Sequence, residues 1–206
     1  MRLVSSLQAI RGSSSSYGIV TSYTVKTYEA PPSAYVYNYT WHLSYQEGAD
    51  IVQTWQTFVD ENLPVELGNY MEFRRGLVRE NVTLSMWGVW YRPIEQLSTV
   101  LKPFFDQLKT TVKPVEIVQG NGTYIDTIRI IGLPYTLDNV HTAPDVNDTF
   151  YVKSLMIPEP SPLPTSAWSA FTKYMAEEGY DTSLASLLPS VSSSVLRLSL
   201  GLVHAT

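Results

Sequence analysis

Few side chains in this sequence stand at the spacings that chemistry requires. The histidines His42, His141 and His204 share no helix face, so no pair has the spacing of a metal site. Each reads as an ordinary polar residue of a strand, a loop and a tail. The chain has no cysteine, which excludes disulfides and thiolate metal ligands alike. No G-x-S-x-G elbow, G-x-x-x-x-G-K-[ST] loop or G-x-G-x-x-G turn occurs, so serine hydrolases, P-loop enzymes and dinucleotide folds have no local signature. Glu177 and Glu178, just ahead of Gly179, are explained better by a solvated helix end than by acid–base catalysis. No residue is assigned as catalytic or as a metal ligand. Glu72 and Arg74 stand two apart on an expected strand and share a face. They could hydrogen-bond a ligand, although an exposed ion pair explains them as well.

A second signal is a run of small residues, Arg11-Gly12-Ser13-Ser14-Ser15-Ser16-Tyr17-Gly18-Ile19-Val20-Thr21. Small side chains leave backbone N–H groups accessible and let a ligand approach the chain closely. A flat cofactor or a diphosphate could lie there, and so could an ordinary turn before a strand. The aromatic residues form a third signal. There are 14 Tyr and 5 Trp, and rings on a sheet face can stack on a sugar or a planar ligand when they are not simply core.

Four asparagines open N-x-[ST] triplets: Asn38, Asn81, Asn121 and Asn147. That is more than chance predicts for this composition, and it points to a secreted glycoprotein. The first ten residues nevertheless lack the apolar stretch of a signal peptide. The expectation is therefore a piece of a longer secreted protein.

These residues need elements to hold them. Strands are expected over 19–28 and 35–43, the latter with Tyr35, Tyr37, Tyr39, Trp41 and Leu43 on one face. Ile51, Val52, Trp55, Phe58 and Val59 then follow helical spacing within 47–62. Residues 66–75 and 81–91 read as a strand pair. After Pro93 a helix carries Leu97, Leu101, Phe104 and Phe105, with Pro103 inside it. A short strand is expected at 115–118, an irregular excursion over 119–148, and a strand over 150–156. A last helix, capped by Thr165 or Ser166, ends at Gly179. Pairs of strands followed by helices predict an α+β fold, an antiparallel β-sheet covered on one face by helices. From Thr182 the composition shifts to Ser, Leu and Val, an atypical tail compatible with disorder.

The chain has 206 residues, enough for one domain with a substantial core. Its net charge of −5 lacks the basic footprint of a nucleic-acid binder and is equally unsuited to anionic membranes. No run approaches the length of a membrane-spanning helix.

The stretch Ala9-Ile10-Arg11-Gly12, four small residues, then Tyr17-Gly18-Ile19-Val20-Thr21-Ser22 resembles a motif of the FAD-linked oxidases of the berberine bridge enzyme and glucooligosaccharide oxidase group. There it closes the flavin domain and enters the substrate domain. The resemblance covers roughly 8–181 and extends downstream in the strand pairs, the helices and the aromatic sheet. It implies that residues 1–18 are the end of a FAD-binding domain, 19–181 a substrate-binding α+β domain and 182–206 an atypical tail. It further implies that Gly12, Ser13, Ser14, Ser15, Ser16, Tyr17, Gly18, Ile19 and Val20 line the flavin. Family members carry more glycine in that turn, so the serines are a departure. Tyr70 and Glu72 would reach a small-molecule substrate, an alcohol or sugar whose hydride passes to the flavin. The family's covalent flavin attachment and its C-terminal base have no counterpart here, so the chain alone should not turn over. The competing reading is a non-catalytic module that binds a saccharide or a phenolic.

Overall fold

The computed structural model describes residues 22, 24–61, 63–131, 149–157, 162–177, 185–192 and 195–204, with 149–157, 185–192 and 195–204 described by their backbone. The chain divides between Ala30 and Pro31 into two units. In the first, Ser22 and residues 24–30 are exposed and form no regular structure. The strand expected over 19–28 is thus not made in its described part. β-branched residues favour a strand only where a neighbouring strand gives them something to pack against.

The second unit contains a seven-stranded sheet of order β4-β1-β3-β2-β6-β7-β5, antiparallel at every pairing. Its strands are β1 (Ala34–Ser44), β2 (Leu67–Arg75), β3 (Asn81–Trp90), β4 (Glu116–Gly122), β5 (Thr149–Ile157), β6 (Ala185–Ser192) and β7 (Val195–His204). The helices are α1 (Tyr45–Val59), α2 (Leu97–Gln107), α3 (Tyr124–Ile131) and α4 (Thr165–Ala176), and a turn of 3-10 helix over Ile94–Gln96 leads into α2. The α+β class expected from the residue pattern is the class observed. Beyond residue 181, where the composition shifts, the backbone forms β6 beside β2 and then β7 beside β5.

The core lies between the sheet and α1, α2 and α4. Tyr35, Tyr37 and Trp41 of β1 project with Met71 and Phe73 of β2 and with Val82, Leu84, Met86 and Trp90 of β3. Against them pack Ile51, Val52, Trp55 and Phe58 of α1, Leu97, Leu101 and Phe104 of α2, and Trp168 and Met175 of α4. Phe73 and Trp168 stack almost parallel, with ring centroids 6.1 Å apart. Burying one such ring is worth roughly 2 kcal/mol or more.

Asn69 and Gln56 pair polar groups inside this core, whereas Trp41 Nε1 is buried with no hydrogen-bond partner among the described residues. Trp55 Nε1 donates to Asn69 Oδ1 at 2.9 Å, and Asn69 Nδ2 donates to the Tyr37 hydroxyl at 3.1 Å. Gln56 holds the segment leading into α4. Its amide donates to Leu163 O at 2.9 Å, while its Oε1 accepts from Leu163 N at 3.1 Å and from Trp168 Nε1 at 3.2 Å.

Several boundaries differ from the sequence expectation for identifiable reasons. α1 begins at Tyr45 because Ser44 and Glu47 form a reciprocal capping box, each side chain bonding the other's backbone N–H. α4 is not capped by Thr165 or Ser166. Its cap position is Pro164, and the Thr165 hydroxyl instead donates to Gln53 Oε1 at 3.2 Å. The irregular excursion expected over 119–148 is regular at its start: β4 runs to Gly122 and α3 follows. Thr123 and Asp126 supply the start signal, with Thr123 N and Oγ1 both donating to Asp126 Oδ2 at 2.9 and 2.7 Å. Residues 132–148 lie outside the described residues.

α3 is also on the other side of the sheet. Gly120 pairs with Val36, so a Cβ on it would point to the face opposite Tyr35 and Tyr37. There it would meet Ile130 Cδ1 at 2.6 Å. Glycine is what lets α3 lie this close to β4.

Candidate functional site

The sheet face turned away from α1, α2 and α4 is polar, and the period-two alternation of the strands builds it. The register sets Asn38 of β1 opposite Trp87 of β3, and Trp87 opposite Tyr70 of β2. One step along, Thr40 faces Ser85, and Ser85 faces Glu72; beyond it, His42 faces Thr83 and Thr83 faces Arg74. The side chains therefore form rungs across three neighbouring strands, with α3 beside the β4 edge.

Asn38, Thr40, Ser85 and Glu72 are all buried. Thr40 Oγ1 lies 3.1 Å from Ser85 Oγ and 3.3 Å from Asn38 Oδ1. His42 Nδ1 is 3.0 Å from Thr83 Oγ1, at the exposed end of the strip. Glu72 is gripped from one side. Arg74 Nε and Nη2 both meet its Oε1 at 2.7 Å, so neither nitrogen engages Oε2. Glu72 is 8% exposed; a carboxylate so withdrawn from water is stabilised by such charge-assisted hydrogen bonds.

Tyr70 is half-buried beside Trp87. Burial, reinforced by the negative charge of Glu72 and partly offset by Arg74, pushes its phenol up to about 12. It is therefore a hydrogen-bond donor at neutral pH. The strip combines that donor with a carboxylate acceptor, two hydroxyls, an amide and a half-buried indole. Such a set suits a ligand that has hydroxyl groups and a flat or apolar face. Among the described residues no cluster of His, Asp and Glu could hold a metal ion, and no helix is long and apolar enough to cross a membrane.

Of the residues singled out in the sequence, Tyr70 and Glu72 fall together on this strip. Gly12, Ser13, Ser14, Ser15, Ser16, Tyr17, Gly18, Ile19 and Val20 lie outside the described residues, as does Asn147. Asn38 stands inside the strip, 8% exposed. Asn81 opens β3 and is half-buried, and Asn121 is exposed on β4. Glu177 follows α4, 3.8 Å from Lys173; Glu178 and His141 are outside the described residues. Thr40, Ser85 and Trp87 were not singled out. Their signal is the second polar phase of β1 and β3, Asn38-x-Thr40-x-His42 and Thr83-x-Ser85-x-Trp87, which the conspicuous aromatic phase masks.

Solved structures share the fold of this chain. The structure of the BBE-like 1 protein of Physcomitrella patens superposes with a TM-score of 0.76 over 96% of this chain and 45% of that one, at 16% identity. This is the fold of the berberine bridge enzyme group. The berberine bridge enzyme of Eschscholzia californica superposes with a TM-score of 0.67 over 86% of this chain and 37% of that one, at 12% identity. In sequence, the chain is 24% identical over 169 residues to the xylooligosaccharide oxidase of Thermothelomyces thermophilus, a match that covers 82% of this chain. It spans about a third of that relative's length, 32%. No family model matches the chain. The expected resemblance to the berberine bridge enzyme and glucooligosaccharide oxidase group holds in both sequence and fold.

Proposed function

We propose that this chain is the substrate-side part of a secreted FAD-linked oxidoreductase that oxidises an alcohol or a sugar hydroxyl, with residues 19–181 as its substrate domain. The polar strip carries this reading. It sets Tyr70, Glu72, Asn38, Thr40, Ser85 and Trp87 on the sheet face opposite α1, α2 and α4. The relatives it resembles are oxidases and berberine bridge enzyme-like proteins, and the chain matches less than half of their length. The remainder of the active site belongs, in this reading, to sequence these residues do not include.

The strip fits a substrate laid against a flavin. Its groups are hydrogen-bonding and nearly neutral in sum, Glu72 being paired with Arg74. The Tyr70 phenol donates to a substrate oxygen, and Glu72 Oε2 accepts from a substrate hydroxyl. Trp87 covers an apolar ring face, where stacking contributes about 1 kcal/mol. When bound, FAD would supply the chemistry by accepting a hydride. Gly12 to Val20 would line it from this chain.

Fusion of the whole chain to the missing flavin-binding part of a relative tests the proposal. The fusion should stay yellow after desalting and lose that colour when a sugar substrate is added without oxygen. Glu72→Gln and Tyr70→Phe should slow the bleaching and leave flavin content unchanged. A fusion that holds flavin but is reduced by no alcohol or sugar would refute the oxidase reading. Saccharide-dependent quenching of Trp fluorescence in that fusion would then favour the binding module.

A further inference from the structure

A second concavity lies on the helical side of the sheet, between α1, the end of α2 and the start of α4. Its volume is about 280 Å³, close to the lower limit of roughly 300 Å³ for pockets that take drug-sized ligands. It suits a single small ring. The floor is apolar: Ile51 and Val112 are buried and Leu108 is half-buried. The turn after α2, closed by Val112 N donating to Lys109 O at 2.9 Å, brings Val112 back over α1.

The rim is polar and is built from pairs that reach between elements. Lys109 Nζ meets Asp50 Oδ2 at 2.8 Å, joining the turn after α2 to α1. Thr165 Oγ1 donates to Gln53 Oε1 at 3.2 Å, joining α4 to α1. Glu47 and Gln107 complete it.

This lining selects by exclusion. Two carboxylates against one ammonium disfavour a phosphate or any other anion. No aromatic residue lines the groove, so a planar aromatic ligand has no stacking partner. Asp50 is already paired with Lys109, which weakens the site for a polycation. What remains is a neutral compound that offers hydroxyl groups to mixed donors and acceptors and a C–H face to the aliphatic floor. We infer that this groove binds one neutral sugar ring, its C–H face on Ile51, Leu108 and Val112 and its hydroxyls on Asp50, Gln53 and Lys109. The inference stands on the groove alone and is independent of the sheet-face reading.

The test is a titration of the full chain with D-xylose, followed by calorimetry and by the side-chain amide signals of Gln53 and Gln107 in nitrogen-labelled protein. Binding in the millimolar range is expected, with both amide signals moving. Asp50 and Lys109 are exposed, so Asp50→Ala and Lys109→Ala keep the fold, and each should weaken binding about tenfold, the loss of one charged hydrogen bond. Leu108→Trp should fill the groove and abolish binding. Arg129→Ala, on α3 across the sheet and exposed, should change nothing. The inference is overturned if there is no heat and no amide shift at the solubility limit of D-xylose, or if the groove variants bind as well as the parent. Tighter binding of inorganic phosphate than of xylose overturns it too. A xylose response abolished by Glu72→Gln alone would place binding on the sheet strip, which overturns this inference and leaves the sheet-face reading intact.

Discussion

Arg74 holds Glu72 by a single oxygen: its Nε and Nη2 both lie 2.7 Å from Oε1. The two residues are alternate positions of one strand, so the pair needs no tertiary contact beyond a β conformation. Glu72 is buried, whereas the Arg74 side chain is 60% exposed. Truncating the arginine therefore leaves a buried carboxylate with its main donor gone. Arg74→Ala should destabilise the fold by about 1–2 kcal/mol, and Glu72→Gln in the same chain should recover most of that loss. Urea denaturation of the two single variants and the double variant measures the coupling directly.

Tyr70 gives a pH signature. Its phenol ionises at about 12 when folded, against an ordinary value of 10.0. Above the ordinary value the unfolded chain loses this proton first, so the unfolded state gains on the folded one. Stability should therefore hold below pH 10 and fall as pH rises toward 12. Burial pushes the Tyr37 phenol up still further, which adds to the same loss. In Tyr70→Phe the decline should be shallower. Urea midpoints measured across the alkaline range show whether it is.

Gly88 faces Tyr37 across β1 and β3, and a Cβ there would overlap the Tyr37 ring and hydroxyl and approach Gly68 O at 2.7 Å. Gly88→Ala has no space on either side. It should cost about 1–3 kcal/mol, and Tyr37→Leu should recover part of it by removing the ring while forfeiting the bond to Asn69. Thermal melts of the three variants test this.

Gln56→Ala would strand Leu163 N, Leu163 O and Trp168 Nε1, three partners now satisfied by one amide. A loss of about 3 kcal/mol or more is expected. Because Gln56 ties down the segment entering α4, limited proteolysis should begin near residues 162–164 in the variant and not in the parent.

The sequons should differ in use. Asn121 is exposed on the edge strand β4, whereas Asn38 lies buried in the middle of β1 with its Oδ1 bonded by Thr40. Secreted from a eukaryotic host, the chain should carry a glycan at Asn121 and none at Asn38. Peptide mass mapping would refute this if Asn38 were modified.

Local pattern alone determined the α+β class, the pairing of 67–75 with 81–90, the amphipathic helices and the shared face of Glu72 and Arg74. Each depends on a period of two or of 3.6 within one segment, which short-range sterics enforce. Thr123-x-x-Asp126 was an equally local signal for α3, obscured by the glycines around it. The tertiary structure decided the rest. The strip that joins Asn38, Thr40, Ser85 and Trp87 to Glu72 exists because β1, β3 and β2 lie side by side in one register, and a one-residue slip of any strand would send its residues to the opposite face. The groove under Lys109 likewise needs α1, the turn after α2 and the start of α4 to meet. Register and docking are set by long-range packing of the aromatic core, so no window along the chain contains them.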